Sequence, residues 1–163
     1  MLDVAKRIGV KVFFYGLDSY EGFPEISDAD RKYAPAGSSY LSRRLFADTT
    51  EREVMAYVRD GHEGSFEIVK GFFLETLPRL PERRYAFVVI DCDLYSSHMD
   101  CMQYFYDRLL PGGVMFFDDY HSKQYPMAAN AIDDFLTDRP EKLIHVAYAI
   151  PKGNNLKTYI VKR

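Results

Sequence analysis

The sequence predicts an α/β fold built on a mostly parallel sheet and finished by an antiparallel strand pair. Three observations predict it. Apolar runs of strand length alternate with helix-like segments through the middle of the chain. Three of those runs, KVFFYGLD (11–18), YAFVVID (85–91) and VMFFDDYH (114–121), stop at acids. Two last apolar runs, LIHVAYAI and KTYIVKR, flank the turn sequence PKGNN as a hairpin would.

Taken in order, residues 2–8 read as a short helix and 11–18 as a buried strand. Residues 20–48 hold Gly22, Pro24, Pro35 and Gly37 without a sustained period, and are expected to form a lid in which ISDADRKY makes a helical turn. Thr49 or Thr50 caps a helix through EREVMAYVRDG, with Glu51 and Glu53 in its first turn and Gly61 at its end. SFEIVKGFF (65–73) is the second strand, and ETLPRLPERR a proline-broken connection. After the strand 85–91, Ser96 and Ser97 are candidate caps for a helix through DCMQYFYDRLL, which LLPGG is expected to close. Residues 126–138 form an amphipathic helix before the final hairpin.

Composition narrows the function. At 163 residues and 47% hydrophobic, the chain is expected to form a single domain, 1–163, with a buried core. Against 24 Asp+Glu, the 21 Lys+Arg are scattered rather than gathered in the stripe that phosphate backbones require, so no nucleic-acid partner is predicted. No apolar run reaches the roughly 20 residues that span a bilayer, and MLDVAKRIGV lacks a signal-peptide plan; no membrane partner and a cytoplasmic location are expected. Cys92 and Cys101, with no Cys-x-x-Cys spacing, read as reduced structural thiols.

The chemistry lies in the strand-end acids: Asp18, then Asp91 with Asp93, then Asp118 with Asp119. In open parallel sheets the ligand crevice lies beyond the carboxyl ends of the strands, so acids at several such ends converge. Converging carboxylates repel unless protons or a cation compensate them, and oxygen ligands without Cys or paired His favour magnesium, calcium or manganese. Asp18, alone at its strand end, has the position of an acid that accepts hydrogen bonds from ribose hydroxyls, and DSYEG also reads as a plain turn with Gly22 at positive φ.

The strings GLDSYEGFPE (16–25), VKGFFLETLP (69–78), VVIDCDLYSS (88–97) and LLPGGVMFFDDYH (109–121), in this order, resemble the macrocin O-methyltransferase family. The resemblance covers almost the whole chain. It implies a Rossmann-like class I methyltransferase sandwich, S-adenosylmethionine as methyl donor, Mg2+ at the acceptor, and a sugar or polyol-like hydroxyl of a small molecule as the group methylated. Carried onto this sequence, it makes Asp18 and Ser19, with Gly71 and Phe72 on the adenine side, the cofactor-binding residues. Asp91, Asp118 and Asp119 become the metal ligands, and Asp91 or Asp93 the catalytic base. Catechol O-methyltransferase is similar in its acids but has a lysine three residues beyond the first of them, where Leu94 stands here.

Family members also have, upstream of the DSYEG-like motif, a strand ending in a glycine-rich turn. Here no Gly-x-Gly occurs, and that first strand is expected to be missing. The exposed strand edges this would leave predict self-association as a twofold homodimer. Two further readings stay open: a catalytically silent relative that binds metal or ligand or assembles with itself, and a hydrolase using the same acids, for which His62, His98 and His145 are scattered and only His121 adjoins the acids.

Overall fold

The computed structural model describes residues 2–37, 39–42, 45–59, 66–150 and 153–163. The chain divides into two compact units, residues 1–25 with 41–79, and residues 26–40 with 80–163. Gly61, expected to end a helix, and Pro151 and Lys152 of the expected hairpin turn lie outside the described residues.

The first unit holds helix α1 (Leu2–Arg7), strand β1 (Phe14–Asp18), helix α3 (Glu51–Arg59), strand β2 (Phe66–Lys70) and the short helix α4 (Phe73–Thr76), which runs on into a 3-10 turn at Leu77–Arg79. β1 and β2 pair in parallel, with Phe14 opposite Phe66 and Asp18 opposite Lys70. At Gly16 a Cβ would meet Ile68 Cδ1 at 2.9 Å, so a larger residue there would have to displace the end of that side chain. Thr50 starts α3 with a capping box: its backbone and hydroxyl both donate to Glu53 Oε2 (2.9 and 2.6 Å), and Glu53 N–H returns a bond to the hydroxyl at 3.3 Å. Of the expected strand 65–73, Phe66–Lys70 is strand and Ser65 lies outside the described residues. The chain leaves the sheet after Lys70 because Gly71 takes φ 137 and Phe72 opens a helix.

The second unit holds α2 (Asp28–Tyr33), β3 (Tyr85–Ile90), α5 (Tyr95–Tyr106), β4 (Leu109–Phe117), a 3-10 turn (Asp119–His121), α6 (Pro126–Leu136), β5 (Ile144–Ile150) and β6 (Gly153–Val161). Its sheet runs β3-β4-β6-β5, with β3 and β4 parallel and β6 antiparallel to both its neighbours. The mixed α/β architecture, with a parallel core and an antiparallel C-terminal pair, is as the sequence predicts. Among the described residues β1 pairs only with β2, and β3 only with β4.

Alternation along the strands decides what is buried. Val88, Ile90, Met115, Phe117, Thr158 and Ile160 share one sheet face and are buried. Against that layer sit α5 and α6, which bury Cys101, Met102 and Phe105 on one and Met127, Ala131, Ile132 and Phe135 on the other, residues recurring at helical spacing. On the opposite face Val89, Phe116, Tyr159 and Ile144 form a cross-strand row, and Val89 remains 46% exposed.

Two local expectations are corrected. LLPGG does not close a helix; α5 ends at Tyr106, and the motif is a bulge inside β4. Tyr85 pairs with Leu109 while Phe87 pairs with Val114, so β4 carries several extra residues over one step of β3. Gly112 supplies φ 77 for the bulge, and at Gly113 a Cβ would meet the Leu110 carbonyl at 2.8 Å. Proline and glycine mark a break in either setting; pairing with β3 and β6 decides which.

Nor do Ser96 and Ser97 cap α5, whose N-cap position is Leu94 without a side-chain bond. The cap comes from Asp30 on α2. Its carboxylate, completely buried, accepts Ser96 N–H at 3.1 Å and Ser96 Oγ–H at 2.9 Å. It also accepts the backbone and hydroxyl of Ser27 at 2.8 and 2.6 Å, closing the capping box of its own helix. A negative group at a helix N-terminus is favoured by the helix dipole and by the unpaired N–H groups there. The segment 20–48 thus includes an ordered helix fixed within the second unit.

Asp30→Ala should therefore cost about 2–4 kcal/mol, since it strands four donors in a buried place. Urea unfolding should show a lowered midpoint, and Asp30→Asn should recover part of it by keeping an acceptor.

Candidate functional site

The parallel register of β3 and β4 places Ile90 opposite Phe117, and Asp118 N–H donates to the Ile90 carbonyl at 3.0 Å. Asp91 and Asp118 are consequently the first residues past two adjacent strand ends. With Asp119 they offer carboxylate oxygens that all lie within 4.8 Å of one another. These are the three residues expected to hold a metal, and the structure brings them together.

Asp119 organises the loop after β3. Its Oδ2 accepts the N–H groups of Cys92 at 3.2 Å and Asp93 at 3.0 Å, so the loop wraps around this carboxylate. Leu94 N–H folds back to the Cys92 carbonyl at 2.6 Å, and Asp93 at the centre of that turn takes φ 59, a left-handed conformation that costs a non-glycine residue about 1 kcal/mol or more. Strain of this kind persists only where surroundings enforce it.

The same crowding acts on protons. Burial first, and then the neighbouring carboxylates Asp119, Asp91 and Asp118, push Asp93 up to about 8. Four acids at one locus thus keep a proton at neutral pH unless a cation replaces it. That is the fit a hard divalent cation requires: an all-oxygen donor set with excess negative charge. Asp93, expected as a catalytic candidate beside Asp91, belongs to the same cluster.

Lys157 and the pair His121 and His145 were not expected here. Lys157 Nζ, from β6, bonds Asp118 Oδ1. Thr158 Oγ1 is shared by His121 Nε2 and His145 Nδ1, both at 2.9 Å, with the imidazole centroids 5.3 Å apart. Burial, His145 and Lys157 together lower the pKa of His121. The histidine pair that the sequence does not show is therefore formed by folding, but each ring has a nitrogen engaged on Thr158. His121 adjoins the acids in sequence; the signal for Lys157 and His145 is the pairing of β6 with β4 and β5, which a linear reading does not provide.

In the first unit, Asp18 and Gly71 meet at the carboxyl ends of β1 and β2, Gly71 N–H donating to the Asp18 carbonyl at 3.0 Å. Asp18 Oδ1 accepts Tyr20 N–H at 2.7 Å and is otherwise exposed. The Ser19 hydroxyl bridges its own turn, donating to the Gly22 carbonyl at 2.8 Å and accepting Glu21 N–H at 3.1 Å, with Gly22 at φ 82. Gly71 is required by φ 137 and because a Cβ would meet Thr76 Cγ2 at 2.8 Å. The Phe72 carbonyl takes the Thr76 hydroxyl at 3.0 Å, fixing the turn into α4.

Because the folded protein holds a proton on Asp93 that the unfolded chain releases near 4, metal-free stability should fall as pH rises from about 4 through about 8. Asp93→Asn, which mimics the protonated acid and tolerates a left-handed backbone, should remove that decline and stabilise the metal-free protein at pH 8.5 by on the order of 1 kcal/mol. Thermal melts from pH 5 to 9 would show it.

Comparison with known proteins gives the family and the fold. The family model described as macrocin-O-methyltransferase (TylF) matches residues 5–147. An 8-demethyl-8-(2,3-dimethoxy-alpha-L-rhamnosyl)-tetracenomycin-C 4'-O-methyltransferase of Streptomyces olivaceus is 30% identical over 119 residues, 72% of this chain and 43% of the relative. A mycinamicin III 3''-O-methyltransferase of Micromonospora griseorubida is 32% identical over 106 residues, 63% of this chain and 42% of the relative. The chain thus spans less than half the length of these curated relatives. Among solved structures, that of the O-methyltransferase NovP superposes with a TM-score of 0.77 over 98% of this chain and 64% of its own, at 24% identity, which supports the class I methyltransferase fold. With most of its length matched by the family model and its strand-end acids gathered as described, the chain belongs to the macrocin-O-methyltransferase (TylF) family.

Proposed function

We propose that this chain contributes to the S-adenosylmethionine-dependent, magnesium-assisted O-methylation of a sugar or polyol-like hydroxyl on a small molecule. The observation that carries the reading is the carboxylate cluster, three acids whose oxygens fall within 4.8 Å of one another. Family membership and the sugar O-methyltransferases among the relatives support the reaction class. The intact acid set favours catalysis over a silent relative.

Asp91, Asp118 and Asp119 would hold the divalent cation, which when bound supplies the positive charge that lowers the pKa of an acceptor hydroxyl and fixes its direction. Asp91 or Asp93 would take the acceptor proton, and the donor, when bound, would supply an activated methyl group for the acceptor oxygen. Asp119 holds the Cys92 and Asp93 amides and so keeps that loop in place through the step. Asp18 would accept the ribose hydroxyls, with Ser19, Gly71 and Phe72 shaping the adjoining turns. Self-association belongs to the same proposal: Phe87, Val89, Val146 and Val161 leave apolar area exposed on one face of the second unit's sheet, which a second copy would cover.

Calorimetric titration with S-adenosylmethionine tests the donor side. Asp18→Ala should weaken binding roughly 10- to 100-fold, the worth of hydrogen bonds to a charged group, and leave divalent-cation binding unchanged. Asp91→Asn should do the reverse, and in methyl transfer to a sugar acceptor should lower the rate by about 100-fold or more. Unchanged donor affinity in Asp18→Ala would remove that residue from the site. Light scattering should give twice the chain mass, and Val89→Lys should shift it toward the monomer.

A further inference from the structure

The register that builds the acid cluster also brings a cation to it. β6 runs antiparallel to β4 with Phe117 opposite Thr158, so the next residues along, Asp118 and Lys157, are cross-strand neighbours. Lys157 Nζ bonds Asp118 Oδ1, with 23% of the lysine side chain and 37% of the carboxylate side chain exposed. This screening is partial, and the pair lies at the edge of a crowd of like charges. Asp118 is also one of the three carboxylates placed to hold a divalent cation. Two cations therefore have claims on one carboxylate.

We infer that Lys157 is a resident counter-cation, which holds Asp118 in the metal-free protein and must be displaced before a divalent cation binds. The inference rests on the metal reading given above and adds a regulatory element to it. In the metal-free state the ammonium offsets repulsion among Asp91, Asp118 and Asp119. A divalent ion on the same carboxylate repels the ammonium, and the long, flexible lysine stem lets the charge swing into water. Lys157 thus raises the cation concentration at which the site fills, and keeps the empty site from pushing its strand ends apart.

The test is Mn2+ binding followed by electron paramagnetic resonance, using the full chain and Mn2+ alone as the probe. Lys157→Met should bind Mn2+ about tenfold more tightly than the parent. Its metal-free melting temperature should be lower, and the difference should vanish at saturating Mn2+. Lys157→Gln serves as the second variant should the methionine fail to fold, with the same expected direction, and Lys157→Arg should retain the weaker parental affinity. Acetic anhydride labelling read by mass spectrometry should modify Lys157 more when Mn2+ is added. Equal or weaker Mn2+ binding in Lys157→Met and Lys157→Gln would overturn this inference alone, showing that lysine and metal share Asp118 without competing. Absence of Mn2+ binding in parent and variants would overturn it together with the metal reading.

Discussion

The pairing of β3 with β4 is the constraint on which the rest of the second unit depends. With Ile90 opposite Phe117, both strands end at the same level, and the residues that follow them are forced together whatever their charge. In this register Val88, Ile90, Met115 and Phe117 are buried on one face of the sheet, each side chain so buried contributing about 1.5–3 kcal/mol. Burial of hydrophobic groups thus sets the position of charged ones.

The consequences appear as a series of compensations. Asp119 turns an oxygen to two backbone amides of the neighbouring loop, Asp93 keeps a proton, and Lys157 bonds Asp118. Each reduces the repulsion by a different means: hydrogen bonding, neutralisation, ion pairing. The left-handed backbone at Asp93 belongs to the same account, because the amide that holds the turn points at Asp119. Local stability is conceded at this place, a pattern common at functional sites.

Asp30 shows the opposite use of a buried acid. It satisfies every demand made on it, accepting from Ser27 and Ser96 and tying α2 to the start of α5. Since α5 begins directly after the loop that carries Asp91 and Asp93, a firm first turn in that helix limits how far the loop can shift. Tyr33 of α2 stacks on Tyr95 of α5 at 5.5 Å between ring centres, which reinforces the same junction.

Much of this was legible in the sequence, for reasons that are local. Apolar runs stopping at acids located β1, β3 and β4, and an acid following a parallel strand must stand at its carboxyl end, so Asp18, Asp91, Asp93, Asp118 and Asp119 could be named as strand-end acids, from which the family resemblance singled out Asp91, Asp118 and Asp119. Capping chemistry marked Thr50, and the positive φ of Gly22 followed from its turn. What the linear chain could not reveal depends on which segments become neighbours. LLPGG has the composition of a helix end and is a bulge, because β3 and β6 supply its hydrogen-bond partners. Ser96 has the chemistry of a cap and instead receives one, because Asp30 arrives from 66 positions away. Lys157 and His145 are unremarkable in sequence and reach His121, which adjoins the acids along the chain, only through antiparallel pairing in the last strands. Residue types and their periods determined the elements and the acids; long-range pairing, driven by burial of the sheet's apolar face, decided which charges those acids would meet.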